Sequence, residues 1–275
     1  MSSSEFLAAL QAAGLGTLRL EVVADSRLHR FRVEADKAGN LNGWYVADFT
    51  EPAHAVFGSW RTGQTYVWRP ARQDRLTDAE REVLAKRRAA ARVARDAEQA
   101  RVHADARERA ARLWLRAKPA FGSHPYLVQK GVGAFGIRDL RGQLVIPARD
   151  TEGTLHTLQF VAADGRKTFL TGGRKRACYH AIGIPRGVLC LCEGYATGAT
   201  VFAATGHATA VAFDCHNLEP VARALRAKFP GLAMCVAADD DAQTPGNPGV
   251  TAARRAALAV GAALAVPSFD RMAHD

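Results

Sequence analysis

The stretch Val188-Leu189-Cys190-Leu191-Cys192-Glu193-Gly194-Tyr195-Ala196-Thr197 runs an unbroken apolar segment straight into a carboxylate and a glycine. Small residues then continue to Thr205. An apolar run of this length, bounded by a turn signal, predicts a strand covered on both faces, and the segment 195–205 predicts a helix. The pattern repeats outward from here. Apolar runs at 208–213, 232–238 and 263–266 predict three more strands, with helices over 218–229 and 249–260 between them. Strands and helices alternating at this spacing predict an α/β fold: a parallel sheet with helices on both faces.

Three of these four strands end in acid: Glu193, Asp214 and the run Asp239-Asp240-Asp241. Ligands of open parallel sheets collect at the carboxyl ends of the strands. Each carboxylate taken alone is an ordinary turn residue. Several brought to one edge repel one another unless they bind a cation or share a proton. Hard oxygen donors of this kind suit Mg²⁺ or Mn²⁺. Side chains alternate at a strand end, so Asp239 and Asp241 are expected to face one site and Asp240 to face away.

The charge of the chain is lopsided. Lys and Arg number 37 against 27 Asp and Glu, a formal net charge of +10. From Gly187 onward there are six basic and eight acidic residues, so the first 186 residues carry 31 against 19. A basic half joined to a mildly acidic half fits a polyanion grip beside a carboxylate site. Between Gly165 and Arg186 lie six cations and no acid, with Gly172 and Gly173 in their midst, a pattern that predicts a phosphate cradle. No GxxxxGK[ST] motif occurs.

Four segments follow from composition. Residues 1–70 form a small β-rich module after a short helix over 6–16. Its Trp, Tyr and Phe residues, interleaved with arginines, are open to two readings: stacking on single-stranded bases, or the core of a small sheet. Residues 71–118 are Ala/Arg/Glu-rich and predict a long, basic, solvated connecting helix, opened by a capping box of Thr77 and Glu80 and closed at Pro119. Residues 119–186 alternate strands and turns in a basic α+β domain, and 187–275 form the parallel-sheet domain. The five cysteines show no CxxC and no zinc spacing, so reduced cysteines and no zinc are expected. The longest apolar run, residues 256–266, is too short to span a bilayer, and no secretory signal is visible, which predicts a cytoplasmic protein.

Leu191-Cys192-Glu193-Gly194-Tyr195-Ala196-Thr197 after one strand and Asp239-x-Asp241 after another resemble the Toprim domain of bacterial-type primases, topoisomerases and some nucleases. The upstream run Leu144-Val145-Ile146-Pro147-Ala148-Arg149-Asp150, with Gly153, Gln159-Phe160, Lys167-Thr168-Phe169-Leu170 and Tyr179, is similar to the segment preceding Toprim in replicative primases. His124-Pro125-Tyr126-Leu127 and Asn247-Pro248-Gly249 look most like the primases of plasmids, integrative elements and phages. The resemblance covers residues 120–267. It implies a Toprim-like sheet in which Glu193, Asp239 and Asp241 are both metal ligands and catalytic residues. It implies a DNA primase making short oligonucleotide primers on single-stranded DNA by Mg²⁺-dependent nucleotidyl transfer, for replication of a mobile element. Its partners would be template, nucleoside triphosphates and a replicative helicase, with no membrane. Arg149, Lys167, Arg174, Lys175 and Arg176 are the candidates for holding nucleotide or DNA. Two departures stand out: no ligands for the zinc-binding domain of replicative primases are present, and no Walker motif. The alternatives are a Toprim nuclease and a non-catalytic DNA-binding adaptor for a helicase.

Overall fold

The computed structural model describes residues 2–17, 20–36, 38–70 and 76–267, in two units that divide at Arg101 and Val102. In the first unit, helix α1 (Ser2–Ala12) packs on an antiparallel sheet of β1 (Leu28–Phe31), β2 (Gly43–Asp48), β3 (His54–Ser59) and β4 (Thr65–Trp68), in that order. The helix starts and ends earlier than the predicted 6–16. Phe6 and Leu10, one turn apart, enter the core from it, and Leu15 follows from the loop beyond. Of the two readings of the aromatics, the sheet core holds. Phe6 meets Tyr45 and Phe57 at ring centroids of 5.5 Å, and Trp44 and Trp68 are buried.

Helix α2 (Asp78–Arg116) begins at the predicted capping box. Thr77 N donates to Glu80 Oε2 (2.8 Å) and Glu80 N to Thr77 Oγ1 (3.3 Å), which satisfies two donors left over at the helix start. The helix is not solvated all round. Leu84 and Ala91 are buried, the latter against Trp44 and Val46 of the first unit, while Ala106 and Ala110 are buried in the second.

The second unit holds two sheets. One is antiparallel: β5 (Lys118–Pro119), β6 (Arg138–Leu140), β7 (Gln143–Arg149), β8 (Leu155–Val161) and β9 (Lys167–Phe169), with the short helix α3 (Pro125–Lys130). The other sheet is built from β10 (His180–Ile182), β11 (Val188–Cys192), β12 (Ala208–Val211), β13 (Ala233–Ala237) and β14 (Ala263–Ala265), in the order β10-β12-β11-β13-β14. Its last four strands are parallel, as predicted, and β10 adds an antiparallel edge to β12.

Helices cover both faces. Leu189 and Leu191 point to the side of α5 (Cys215–Lys228) and α6 (Pro248–Val260), where Leu218, Val221, Ala253 and Ala256 meet them. Cys192 and Val211 point to α4 (Tyr195–Thr205). Gly198 is needed there, since a Cβ would stand 2.7 Å from Val211 Cγ2. The same core takes in Tyr126, Leu144 and Ile146, so the antiparallel sheet and the α4 side of the parallel one share a single apolar interior. Tyr195 pins them together: its hydroxyl accepts from Phe135 N (2.7 Å) and donates to Gly133 O (2.8 Å). No described helix is long and apolar enough to cross a membrane.

Candidate active site

β11 lies in the middle of its sheet, so the residue after it opens at the centre of the carboxyl edge. Two ladder bonds continue past the strand ends, from Ala212 N to Cys192 O and from Phe213 N to Glu193 O, both 2.8 Å. They set Glu193 beside the turn leading to Asp214. Phe213 takes φ +74°, which stops β12 at Val211, short of the predicted 213. Asp214 then caps α5, its Oδ1 accepting from Asn217 N at 3.1 Å. That cap starts α5 at Cys215, three residues ahead of the predicted start and with Pro220 inside it.

On the other side of β11, Asp239 accepts from Thr197 Oγ1 of α4 at 3.2 Å. Asp241 Oδ2 accepts from Gly249 N at 3.2 Å, at the start of α6, where the helix dipole favours an anion. Gly249 is required: a Cβ would stand 2.3 Å from Asp239 O and 2.9 Å from Asp241 Oδ2. Asp240 turns elsewhere, accepting from Asn247 Nδ2 at 2.7 Å. β13 has already ended at Ala237, so Asn247 enforces a division that pleating alone does not extend this far.

The carboxylates act on one another. The Glu193 carboxyl is pushed up to about 7, first by burial and then by Asp239, Asp214 and Asp241, while Lys167 opposes the shift. Among the described residues no three His, Cys, Asp or Glu side chains close on one point as a ready metal cage. The donor set nonetheless fits Mg²⁺ or Mn²⁺. Mg²⁺ keeps several waters and is usually held by one or two carboxylates together with substrate phosphates. Mutual repulsion strong enough to raise Glu193 is what a divalent cation would relieve.

The five basic candidates separate in space. Lys167, exposed on β9, acts directly on the Glu193 carboxyl. Lys175 Nζ pairs with Asp214 Oδ2 at 2.9 Å and lies 5.0 Å from the centre of the Phe169 ring. Arg174 Nη2 donates to Asp150 Oδ2 at 3.1 Å, beside His156. Arg176 reaches toward α5, where, after Arg223 and Arg255, its charge adds to those holding the Glu219 carboxyl below its ordinary value. Arg149 turns to a separate cleft of about 330 Å³ with Trp114, Tyr179 and Lys228, and its Nη1 donates to Gly153 O at 2.9 Å. The two glycines of the expected phosphate cradle are called for by packing. A Cβ on Gly173 would stand 2.1 Å from Thr157 Oγ1, and one on Gly172 2.9 Å from Val102 Cγ1.

Sequence reading missed Asn217. This buried side chain accepts from Ala177 N (2.8 Å), and its Nδ2 faces the carbonyls of Lys175 (3.1 Å), Cys178 (2.9 Å) and Ala212 (2.9 Å). It fastens the basic loop to the strand end beside Glu193. Its place three residues after a strand-end Asp is the one sequence signal of this role.

Two proteins from Escherichia coli, each named DNA primase TraC, are similar to this chain. One is 39% identical over 259 residues, covering 90% of this chain and 24% of that protein. The other is 36% identical over 282 residues, covering 96% of this chain and 19% of that protein. The chain thus spans a quarter or less of the length of these relatives. No family model matches. Among solved structures, the primase fragment of the bacteriophage T7 primase-helicase protein matches 52% of this chain and 64% of that one, at 13% identity and a TM-score of 0.40, too loose a likeness to carry an argument.

Proposed function

We propose that this chain carries the catalytic core of a DNA primase of the plasmid and phage type, with a Toprim-like metal site. It would make short oligonucleotides on single-stranded DNA by Mg²⁺-dependent nucleotidyl transfer, for replication of a mobile element. The observation that carries this reading is that Glu193, following β11, and Asp239 and Asp241, following the neighbouring β13, lie at the carboxyl edge of one parallel sheet, with Lys175 paired to Asp214 on the same edge. The similarity to proteins named DNA primase supports it over most of the chain.

Phosphoryl transfer asks the protein chiefly for positioning and charge neutralisation. Asp239, oriented by Thr197, and Asp241, oriented by Gly249 N, are the residues that would hold Mg²⁺ or Mn²⁺. The ion, when bound, would neutralise the triphosphate of the incoming nucleotide against the attacking 3′-hydroxyl. Glu193 would complete the donor set or take the hydroxyl proton. Lys175, paired with Asp214, and Lys167, whose charge reaches Glu193, would attract a triphosphate to this edge. A replicative helicase would be the partner that opens the duplex.

Labelled nucleoside triphosphates, single-stranded DNA and Mg²⁺, incubated with the protein and resolved on a gel, test this directly. Template-dependent labelled oligonucleotides are the expected result. Shortened DNA would replace the reading with a nuclease, and binding without turnover would replace it with an adaptor.

A further inference from the structure

Next to Lys175, the Arg174 guanidinium is held by Asp150, outside the acidic cluster. Its Nη2 donates to Asp150 Oδ2 at 3.1 Å, and His156 Nε2, 2.7 Å from the same oxygen, donates to it as well and lies against Nη2. Asp150 sits at the turn after β7 and His156 on β8, while Arg174 belongs to the loop after β9, so three segments of the antiparallel sheet meet at one cation.

The two oxygens of Asp150 have separate tasks. Oδ1 accepts from Glu152 N (3.1 Å) and Thr154 N (3.0 Å), which shapes the turn, and leaves Oδ2 for Arg174 and His156. These bonds, that of His156 foremost, hold the Asp150 carboxyl below the usual range against the opposing pull of burial. Cys178, buried beside Arg174, and Tyr179, which feels the Asp150 charge, are further titratable neighbours. Nη2 is engaged by Asp150, Nε is buried without a partner and the Cys178 thiol lies against the guanidinium; among the described residues Nη1 makes no hydrogen bond of ordinary geometry, and 36% of the Arg174 side chain is exposed.

A long cation gripped through Nη2, with Nη1 left open, is preorganised at low entropic cost for a charge-assisted bond to a phosphate oxygen. One residue further on, Lys175 reaches the acidic site through Asp214.

We infer that Asp150 and His156 are positioning residues, His156 through Asp150, that aim the Arg174 guanidinium at a substrate phosphate. The inference rests on the primase reading for the identity of that substrate, but the aiming itself is a property of the binding surface. The phosphate belongs either to the incoming triphosphate or to the template backbone, and the two are separable.

The test uses Asp150→Asn, His156→Leu and His156→Gln in the full chain, each with a thermal melt. Asp150→Asn retains an oxygen for the turn while placing an amide donor against Nη2. His156→Leu removes the ring nitrogen, and His156→Gln restores a polar atom near Nε2. For the first two, we expect the KM for nucleoside triphosphate, or the Kd for a single-stranded oligonucleotide, to rise about tenfold, the loss of one charge-assisted hydrogen bond. We expect kcat to stay within about twofold and His156→Gln to recover most of the loss. A change in KM alone assigns the nucleotide; a change in Kd with a shallower salt dependence assigns the backbone. If neither constant moves, if kcat alone falls, or if His156→Gln is as damaging as His156→Leu, the inference is wrong. Should the wild type bind both probes without making primers, the primase reading fails, and the Kd for nucleoside triphosphate, titrated directly, together with the Kd for the oligonucleotide still decides the aiming.

Discussion

Lys175 Nζ lies 2.9 Å from Asp214 Oδ2, and Asp214 is at the same time the N-cap of α5. One carboxylate therefore fastens the basic loop to the acidic strand ends. Asn217, on the first turn of the same helix, completes the fastening from beneath.

Removing that clamp should cost stability. Asn217→Ala leaves a buried N–H and several carbonyls without their partner, and an unsatisfied buried polar group costs about 1–3 kcal/mol. We expect a loss of about 3 kcal/mol in urea unfolding, together with reduced turnover in the protein that remains folded. A loss within about 0.5 kcal/mol, the range of ordinary surface substitutions, would show that the loop holds itself in place.

Gly249 should be intolerant for a local reason. Gly249→Ala drives a Cβ to 2.3 Å from Asp239 O, so the 239–241 turn must move. Overpacking of this kind costs about 1–3 kcal/mol. Primer synthesis should fall at least tenfold, because both metal-binding aspartates shift. Gly231→Ala, with nothing within 4 Å of its Cβ, is the matched control and should be silent. Equal activity of the two variants would separate Gly249 from the site.

Glu193 makes the metal-free protein pay for its site. Its folded-state carboxyl titrates at about 7, above the ordinary 4.5, so the folded chain binds more protons than the unfolded one between those values. The penalty is absent below about pH 4.5, grows as pH rises and is complete above about pH 7. In chelator at pH 8, Glu193→Gln should therefore raise the Tm. For a half-exposed group, discounted for solvent screening, the gain is about 1 kcal/mol, or about 2–4 °C. At pH 4 the gain should vanish. A variant less stable than wild type at pH 8 would contradict the mutual repulsion of the cluster.

How much of this was legible in the sequence follows from the physics of each element. The parallel sheet was readable because buried strands need continuous apolar runs, and β11 and α4 fall on the predicted residues. Helix and strand ends slipped where a cap or a positive φ decides them, as at Asp214 and Phe213. β10 was not read as part of the parallel sheet, since three residues carry no period and their pairing with β12 is a tertiary event. The acidic residues were readable because strand direction places them on one edge. The cations were only half so: residue type does not say where a long side chain turns, and Arg149 and Arg176 turn elsewhere. Asn217 escaped, and Gly249 was legible only as part of a quoted motif and a helix start, because their work is hydrogen bonding and close approach, which leave little mark in composition.

The division of labour in Asp239-Asp240-Asp241 bears most directly on the central claim. Asp239 and Asp241 both act on Glu193, whereas Asp240 is bonded to Asn247. Template-dependent primer synthesis should be measured at saturating Mg²⁺ for Asp239→Asn, Asp240→Asn and Asp241→Asn. Each outer substitution removes a charged ligand where phosphate charge must be neutralised, several kcal/mol of transition-state stabilisation, or a loss of about a hundredfold or more. Asp240→Asn should stay within about threefold of wild type. If Asp240→Asn is as damaging as its neighbours, or if both outer variants still make primers at the wild-type rate, the acidic strand ends are not the metal site of a primase.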